Sequence, residues 1–217
     1  RKNDLRNMQS ELVANLPEEY KTMDITADGL YMYGGTTTGN VYRTDLRTGK
    51  SELFIKFPQS PVHAIQISPD GRLVTIGDER GLLHIVNPAD GTIVRELRLH
   101  KARISDLEFS RDGLLLASSS LDGGLVLWET DKWNEIPISM NDNDSYVWDL
   151  TFSPDGDYLM AACGDGDLRV WPTRPAMMAN ELCEYLGRNM SPEEWEAYVG
   201  NGIPLIETCK LQEKSTP

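Results

Sequence analysis

Four copies of one unit, spaced by 42, 42 and 43 residues, constrain this 217-residue chain more than any other feature. They read "TMDITADGLYMYGG", "AIQISPDGRLVTIG", "DLEFSRDGLLLASS" and "DLTFSPDGDYLMAA", aligned on Gly29, Gly71, Gly113 and Gly156. Ten residues after each of these comes a second glycine: Gly39, Gly81, Gly123 and Gly166. Two markers that keep register through four copies describe one structural unit used four times.

Repetition at 40 to 45 residues is the signature of propeller blades of four strands each. The local chemistry agrees. Asp-Gly between alternating hydrophobics signals a hairpin, because glycine takes positive φ without a steric penalty. Upstream of each first turn lies a strand with fixed apolar columns: Met23, Ile65, Leu107 and Leu150, then Ile25, Ile67, Phe109 and Phe152. A third column, Tyr20, Val62, Ile104 and Val147, is expected on the opposite face. Apolar positions on both faces suit a strand held between neighbouring sheets. The expected fold is all-β, with four blades over residues 16–172.

The pattern resembles the WD-repeat β-propellers over residues 16–172. The third copy is the fullest match, with His100 ahead of "ISDLEFSRDG", "LLLASSSLDG" and "LVLW". The resemblance implies a hydrogen-bonded brace of His100, Ser118, Asp122 and Trp128. The other copies depart from it. The fourth keeps Asp165 and Trp171 but has Asn143 in the histidine's place; the second has Pro58, Arg80 and Val86; the first has Leu16, Thr38 and Thr44. Only the third blade is expected to carry the whole brace. Seven blades are usual in the resembled family, so the four seen here are expected to form part of a larger ring.

From Thr173 the period of two disappears, and residues 173–217 read as a helical cap. Met178, Leu182 and Leu186 recur four apart before Gly187. "SPEEWEAYVG" then offers Ser191 as N-cap, Pro192 in the first turn and Glu194 to complete a capping box. Trp195, Tyr198 and Val199 make its apolar face, closed by Gly200. The tail also resembles the C-terminal tails of bacterial WD-repeat proteins, which often end signalling ATPases of the STAND class. Residues 1–15 place Leu5, Met8 and Leu12 at helical spacing and suggest a linker or short helix, or alternatively an outer strand left from a further blade. The chain lacks an initiator Met and is expected to come from a longer gene product.

A net charge of −13 argues against nucleic acid, whose binding rests on Lys and Arg neutralising phosphates. It equally disfavours anionic membranes. Cys163, Cys183 and Cys209 are too few for a disulfide scaffold, so reduced thiols and a cytoplasmic setting are expected, with a Cys183–Cys209 bridge as the alternative. The three histidines, His63, His84 and His100, have no metal-like neighbours in sequence. His84 lies within a strand and reads as a packed or solvent-facing residue. "NDNDSY" (141–146) lacks the glycine and closing Glu of a calcium loop, and "GDGD" (164–167) reads as a hairpin. No catalytic residue, metal or cofactor is expected, and the chain is not expected to be an enzyme.

Binding remains. Loops on a stiff scaffold carry most recognition, and the starts of the inner strands should approach one rim of the central channel. Arg103, Tyr146 and Trp148 are the partner-binding candidates there, with His63 beside them, because Arg and aromatics dominate interface energies. The expected function is a non-catalytic protein–protein interaction or sensing module. The alternative is the regulatory C-terminal domain of a larger signalling ATPase or protease. An open arc of four blades exposes two apolar faces, so upstream blades or a second copy are expected to close the ring.

Overall fold

The repeated turns all form hairpins. The structure, a computed structural model, describes residues 2–4, 9–140, 145–179, 188–198, 204 and 209. In all four turns a hydroxyl donates to the turn aspartate, Thr26 to Asp28, Ser68 to Asp70 and Ser110 to Asp112 at 2.6 Å and Ser153 to Asp155 at 2.5 Å. The same carboxylates accept the amide two residues on, from Leu30, Arg72, Leu114 and Asp157. The glycine between can then sit at positive φ, 73° at Gly113, where a side chain is strained.

The first strands, β1 (Lys2–Asp4) and β2 (Gln9–Glu11), pair as a ribbon. Here the structure departs from the linker or short helix read from residues 1–15. A helix of so few residues is marginal on its own, whereas a ribbon closes its backbone bonds locally. Leu5 and Met8 lie outside the described residues.

Blade one follows as β3 (Tyr20–Ile25), β4 (Tyr31–Thr36), β5 (Asn40–Asp45) and β6 (Lys50–Lys56). Blade two is β7 (Val62–Ile67), β8 (Val74–Asp78), β9 (Leu82–Val86) and β10 (Ile93–Arg98). Blade three is β11 (Ile104–Phe109), β12 (Leu115–Ser120), β13 (Leu125–Glu129) and β14 (Ile138–Met140). Blade four is β15 (Val147–Phe152), β16 (Tyr158–Cys163) and β17 (Leu168–Pro172), a three-stranded sheet among the described residues. Strands within each blade are antiparallel neighbours in chain order, and β3, β7, β11 and β15 stand side by side. This is an all-β propeller arrangement.

Each inner strand carries a bulge at one place. Tyr20 and Thr22 pair with Thr36 and Gly35, which leaves Lys21 over; the same slip leaves over His63, Ser105 and Trp148. A bulge shifts side-chain alternation by one residue, and that overturns one sequence expectation. Val62 lies on the same face as Ile65, not the opposite one: both reach Gly35 of blade one. Val62, Ile65 and Ile67 join Tyr33 and Val41 in one core, while Ile104, Leu107 and Phe109 join Leu83 and Ile85 in the next.

The blades also exchange hydrogen bonds. Thr22 Oγ1 accepts the Ile65 amide at 3.2 Å, and Asp24 Oδ2 accepts the Ile67 amide at 2.8 Å. Two blades on, Asp106 and Glu108 accept the amides of Leu150 and Phe152, both at 3.1 Å. Side chains of one inner strand thus hold the backbone of the next.

Residues 171–217 form a second unit. Residues 175–179 are helical and make α1; α2 spans Pro192–Tyr198. The Ser191 amide donates to Glu194 at 2.9 Å and the Glu194 amide returns to Ser191 Oγ at 3.2 Å, which closes the capping box. Arg188 grips Glu194 with both terminal nitrogens, at 2.6 and 2.7 Å. Asn189 exchanges two hydrogen bonds with the Cys209 backbone, and Trp195 is buried. Leu182, Cys183, Leu186, Gly187, Val199 and Gly200 lie outside the described residues.

Adding one methyl group at a blade boundary tests the packing. A Cβ at Gly77 meets Ile104 Cγ2 at 2.5 Å, and Ile104 is fully buried. Gly77→Ala is expected to destabilise the chain by about 1–3 kcal/mol, measured by urea unfolding; Gly71→Ala, strained in φ but meeting nothing within 4 Å, serves as the uncrowded comparison.

Candidate functional site

The bulge decides what reaches the rim. A residue left over by the register has no partner across the sheet, so its side chain is turned away from the blade's own packing. Lys21, His63, Ser105 and Trp148 hold that place in blades one to four. Trp148 is half exposed, and Tyr146, two residues earlier, is equally so. Their rings meet edge to face with centroids 5.4 Å apart. The Tyr146 ring lies over Gly164, where a Cβ falls 2.4 Å from Cδ2, and the Tyr146 carbonyl accepts the Gly164 amide at 2.8 Å. The aromatic pair is therefore exposed yet held.

His63 and Arg103 form the other candidate group. His63 Nε2 stands 2.6 Å from Glu79. Burial, reinforced by the positive charge of Arg103, pushes His63 below the ordinary histidine value, against the pull of Glu79. The ring is thus largely neutral at neutral pH. Ser105 is turned inward instead, donating to the Val147 carbonyl at 2.5 Å. Lys21 pairs with Glu19 at 3.2 Å.

Below the rim, each of the first three blades is clamped where its inner strand begins, by different chemistry. In blade three His100 Nε2 and Ser118 Oγ lie 2.8 Å apart, and Trp128 Nε1 donates to Ser118 Oγ at 3.0 Å. Asp122 stands 3.6 Å from His100 Nδ1 and accepts the amides of Lys101 and Gly124. Burial opposes the Asp122 charge, but His100 and those amides outweigh it and hold the carboxyl well below its usual range. The structure therefore brings His100, Ser118, Asp122 and Trp128 together.

The other clamps were not read from the sequence. Glu18 binds Thr38 and Asn40 at 2.6 Å and Tyr42 at 2.7 Å, which holds its carboxyl at about 2. In blade two Ser60 donates to the buried Asp78 at 2.6 Å. Burial raises Asp78, yet His84, Ser60 and the amides of Leu82 and Arg80 bring it below the usual value. His84 is buried, stacks on Phe57 at 4.3 Å and lies 3.6 Å from Asp78. Glu18 and Ser60 both stand two residues ahead of their inner strand, and that shared offset was the available signal. In blade four Asp165 pairs with Arg169 at 2.6 Å; Asn143 lies outside the described residues.

Between blades three and four two carboxylates meet. Burial, and the hydrogen bond shared with Asp149, push Asp106 up to about 7. Burial raises Glu108 as well. On the outer strands of blade one, a cleft of about 480 Å³ holds Arg43 and Glu52. These two are already paired, and Arg43 lies over the Tyr31 ring, so the cleft has no free charge of theirs to offer a substrate. Cys163 is buried and outside any disulfide, whereas Cys209 is disulfide-bonded, so the expectation of reduced thiols throughout does not hold at Cys209.

These features define a repeat-built all-β scaffold of the β-propeller class with side chains displayed at one rim. Residues 91–129 and 136–172 match the WD domain, G-beta repeat family. Each match starts ahead of the outer strand of one blade and ends with the third strand of the next. The chain is similar to Protein LST8 homolog of Drosophila melanogaster, with 30% identity over 124 residues, 52% of this chain and 38% of that protein. It is similar to WD repeat-containing protein slr1409 of Synechocystis, with 37% identity over 60 residues, 28% of this chain and 18% of that protein. It also resembles apoptotic protease-activating factor 1 of Rattus norvegicus, 28% identical over 89 residues, 41% of this chain and 7% of that protein. The chain thus spans well under half the length of these relatives.

Two outcomes are expected. Ser118→Ala leaves the buried Trp128 and His100 without the hydroxyl they share and costs about 1–3 kcal/mol, read by chemical unfolding. Folding also favours protonated Asp106: that contribution is complete below the ordinary value of 3.8 and is lost as pH rises through about 7. Unfolding free energies measured across this window should fall less with pH in Asp106→Asn than in the native chain. Glu108 and His63 titrate in both chains, so the difference isolates Asp106.

Proposed function

We propose that the chain is a non-catalytic protein–protein interaction module that reads its partner with one rim of a β-propeller. The observation that carries this reading is the bulge repeated in all four blades, which places a side chain free of sheet pairing at the start of every inner strand. At blade four that side chain is Trp148, held against Tyr146, and an exposed but fixed aromatic pair gives contact area at little entropic cost. Arg103 and His63 extend the surface along the rim. The partner is a protein, since a net charge of −13 repels nucleic acid and anionic lipid alike. No described helix is long and apolar enough to cross a membrane.

A second reading makes the chain the regulatory C-terminal part of a larger signalling ATPase or protease. The likeness to the protease-activating factor, of which the matched stretch is 7%, supports it, as does the tail's resemblance to bacterial proteins of that organisation. A bacterial, cytoplasmic setting belongs to the same proposal. The disulfide at Cys209 argues the other way, because such bonds persist mainly in oxidising compartments. Ring closure by upstream blades or by a second copy completes the proposal.

Trp148→Ala is the test. Its ring is half exposed, so thermal unfolding should stay unchanged while affinity for a captured partner falls about tenfold or more, measured by titration against the immobilised chain. Unchanged affinity removes Trp148 from the interface. Loss of fold instead would make it a packing residue.

A further inference from the structure

We infer that the rim over blades two and three takes an acidic segment of a protein partner, whose carboxylates meet Arg103 with Arg80 and Lys101 beside it. This rests on the interaction reading above and names the chemistry of that surface.

Arg103 is held in place without being used. It stands just ahead of β11, half-buried, and its Nε is shut off from water with no hydrogen-bond partner. Among the described residues its side chain makes no hydrogen bond and no ion pair. A guanidinium has five donors and keeps its charge at any ordinary pH. Burying one of them unsatisfied lowers the stability of the free chain, so packing does not account for an arginine here. Only Nε is closed off; the two terminal nitrogens stay open to solvent. A carboxylate accepts from two such donors at once.

The surroundings carry the same sign. The turn after β8 lies against the loop ahead of β11: a Cβ on Gly81 falls 2.7 Å from the His100 carbonyl and 2.6 Å from that of Ala102. That contact brings Arg80 and Lys101, both exposed, to one stretch of rim. Arg80 donates to the Gln59 carbonyl at 3.2 Å, and neither cation has an ion pair among the described residues. The carboxylates nearby are engaged within their own blades. Asp78 holds Ser60 and the amides of Arg80 and Leu82, Glu79 faces His63, and Asp122 holds the amides of Lys101 and Gly124.

Elsewhere cations do find carboxylates, Arg43 at Glu52, Arg47 at Asp45, Lys132 at Glu129 and Arg169 at Asp165. With 34 acidic residues to 21 basic ones, three neighbouring cations left without one mark a place kept for an outside anion. Blades two and three each pack against a neighbour on both sides, so this stretch of rim is independent of the ends of the chain. The net charge of −13 does not oppose a short acidic segment. Screening acts over about 8 Å at physiological salt, so the cations within reach decide. A nucleic-acid backbone runs past many such lengths and meets the acidic remainder, which favours the peptide.

The probe is a fluorescein-labelled peptide of four Asp-Glu-Leu repeats, titrated with the 217-residue chain and read by fluorescence polarisation. Saturable binding that weakens with added salt is expected. Arg103→Gln should lower affinity about tenfold or more, and Arg80→Gln and Lys101→Gln about two- to fivefold each. Arg80 and Lys101 are exposed, so their double variant keeps its fold and reads the surface even where Arg103→Gln does not. Arg111→Gln, an exposed cation beyond the far end of β11, should leave binding unchanged. No binding, equal binding of the matching Asn-Gln-Leu peptide, or equal losses at Arg111 and Arg103 each overturn the proposal. Tighter binding of a twelve-nucleotide oligothymidylate overturns it in favour of nucleic acid. If the peptide fails while Trp148→Ala still weakens a captured partner, the acidic-partner inference falls and the interaction reading stands. If the peptide binds through Arg103 while the captured partner ignores Trp148, the aromatic pair leaves the interface and the acidic-partner inference stands.

Discussion

Two β-sheets approach most closely where one of them offers almost no side chain, and the first two blade boundaries depend on that condition. Gly35 and Gly77 supply it on the second strands of blades one and two, where Val62 and Ile104 press against the bare backbone. At the first of these boundaries the approach brings Asp24 within reach of the Ile67 amide; between blades three and four Ser119 stands in the glycine's place, and Asp106 and Glu108 reach the next blade's amides there as well. Close packing and these bonds support one another. The apolar contact excludes water that would compete for the amides, and the carboxylates fix the height at which one strand slides past the next.

The same closeness gives the acidic boundary its character. Asp106 and Asp149 come from adjacent inner strands, so the packing that buries one brings the other to it. Burial and the hydrogen bond to Asp149 favour the protonated form of Asp106. Where Ala64 and Gln66 hold the equivalent places in blade two, no such pair arises. The boundaries therefore share one geometry and differ in their electrostatics.

Much of this was legible in the sequence, and the failures have identifiable causes. The period of 42 or 43 residues gave blade number and the hairpin turns, because Asp-Gly and its preceding Ser or Thr act locally. The columns headed by Met23 and Ile25 were visible for the same reason. The column of Val62 was assigned to the wrong face, since counting in twos assumes an unbroken strand and His63 breaks it. The clamps at Glu18 and Ser60 went unseen because a lone carboxylate or hydroxyl ahead of a strand is common, and only the fold brings Thr38, Asn40 and Tyr42 to the first and Asp78 to the second. His100 with Ser118 and Trp128 was found through family resemblance rather than spacing. The ribbon of β1 and β2 was missed because Leu5, Met8 and Leu12 imitate helical periodicity over too short a stretch to sustain a helix.

The bulge separates two tasks that most strands must share. Lys21, His63 and Trp148 owe nothing to their own sheets' ladders, while the clamps and the glycine contacts that hold the blades lie elsewhere; Ser105, turned onto Ser119 and the Val147 carbonyl, belongs with the holding contacts. The rim is in that sense a three-letter alphabet written on a fixed page. Lineages can change the letters with little penalty in folding, so paralogues of one scaffold can diverge in what they recognise long before they diverge in shape.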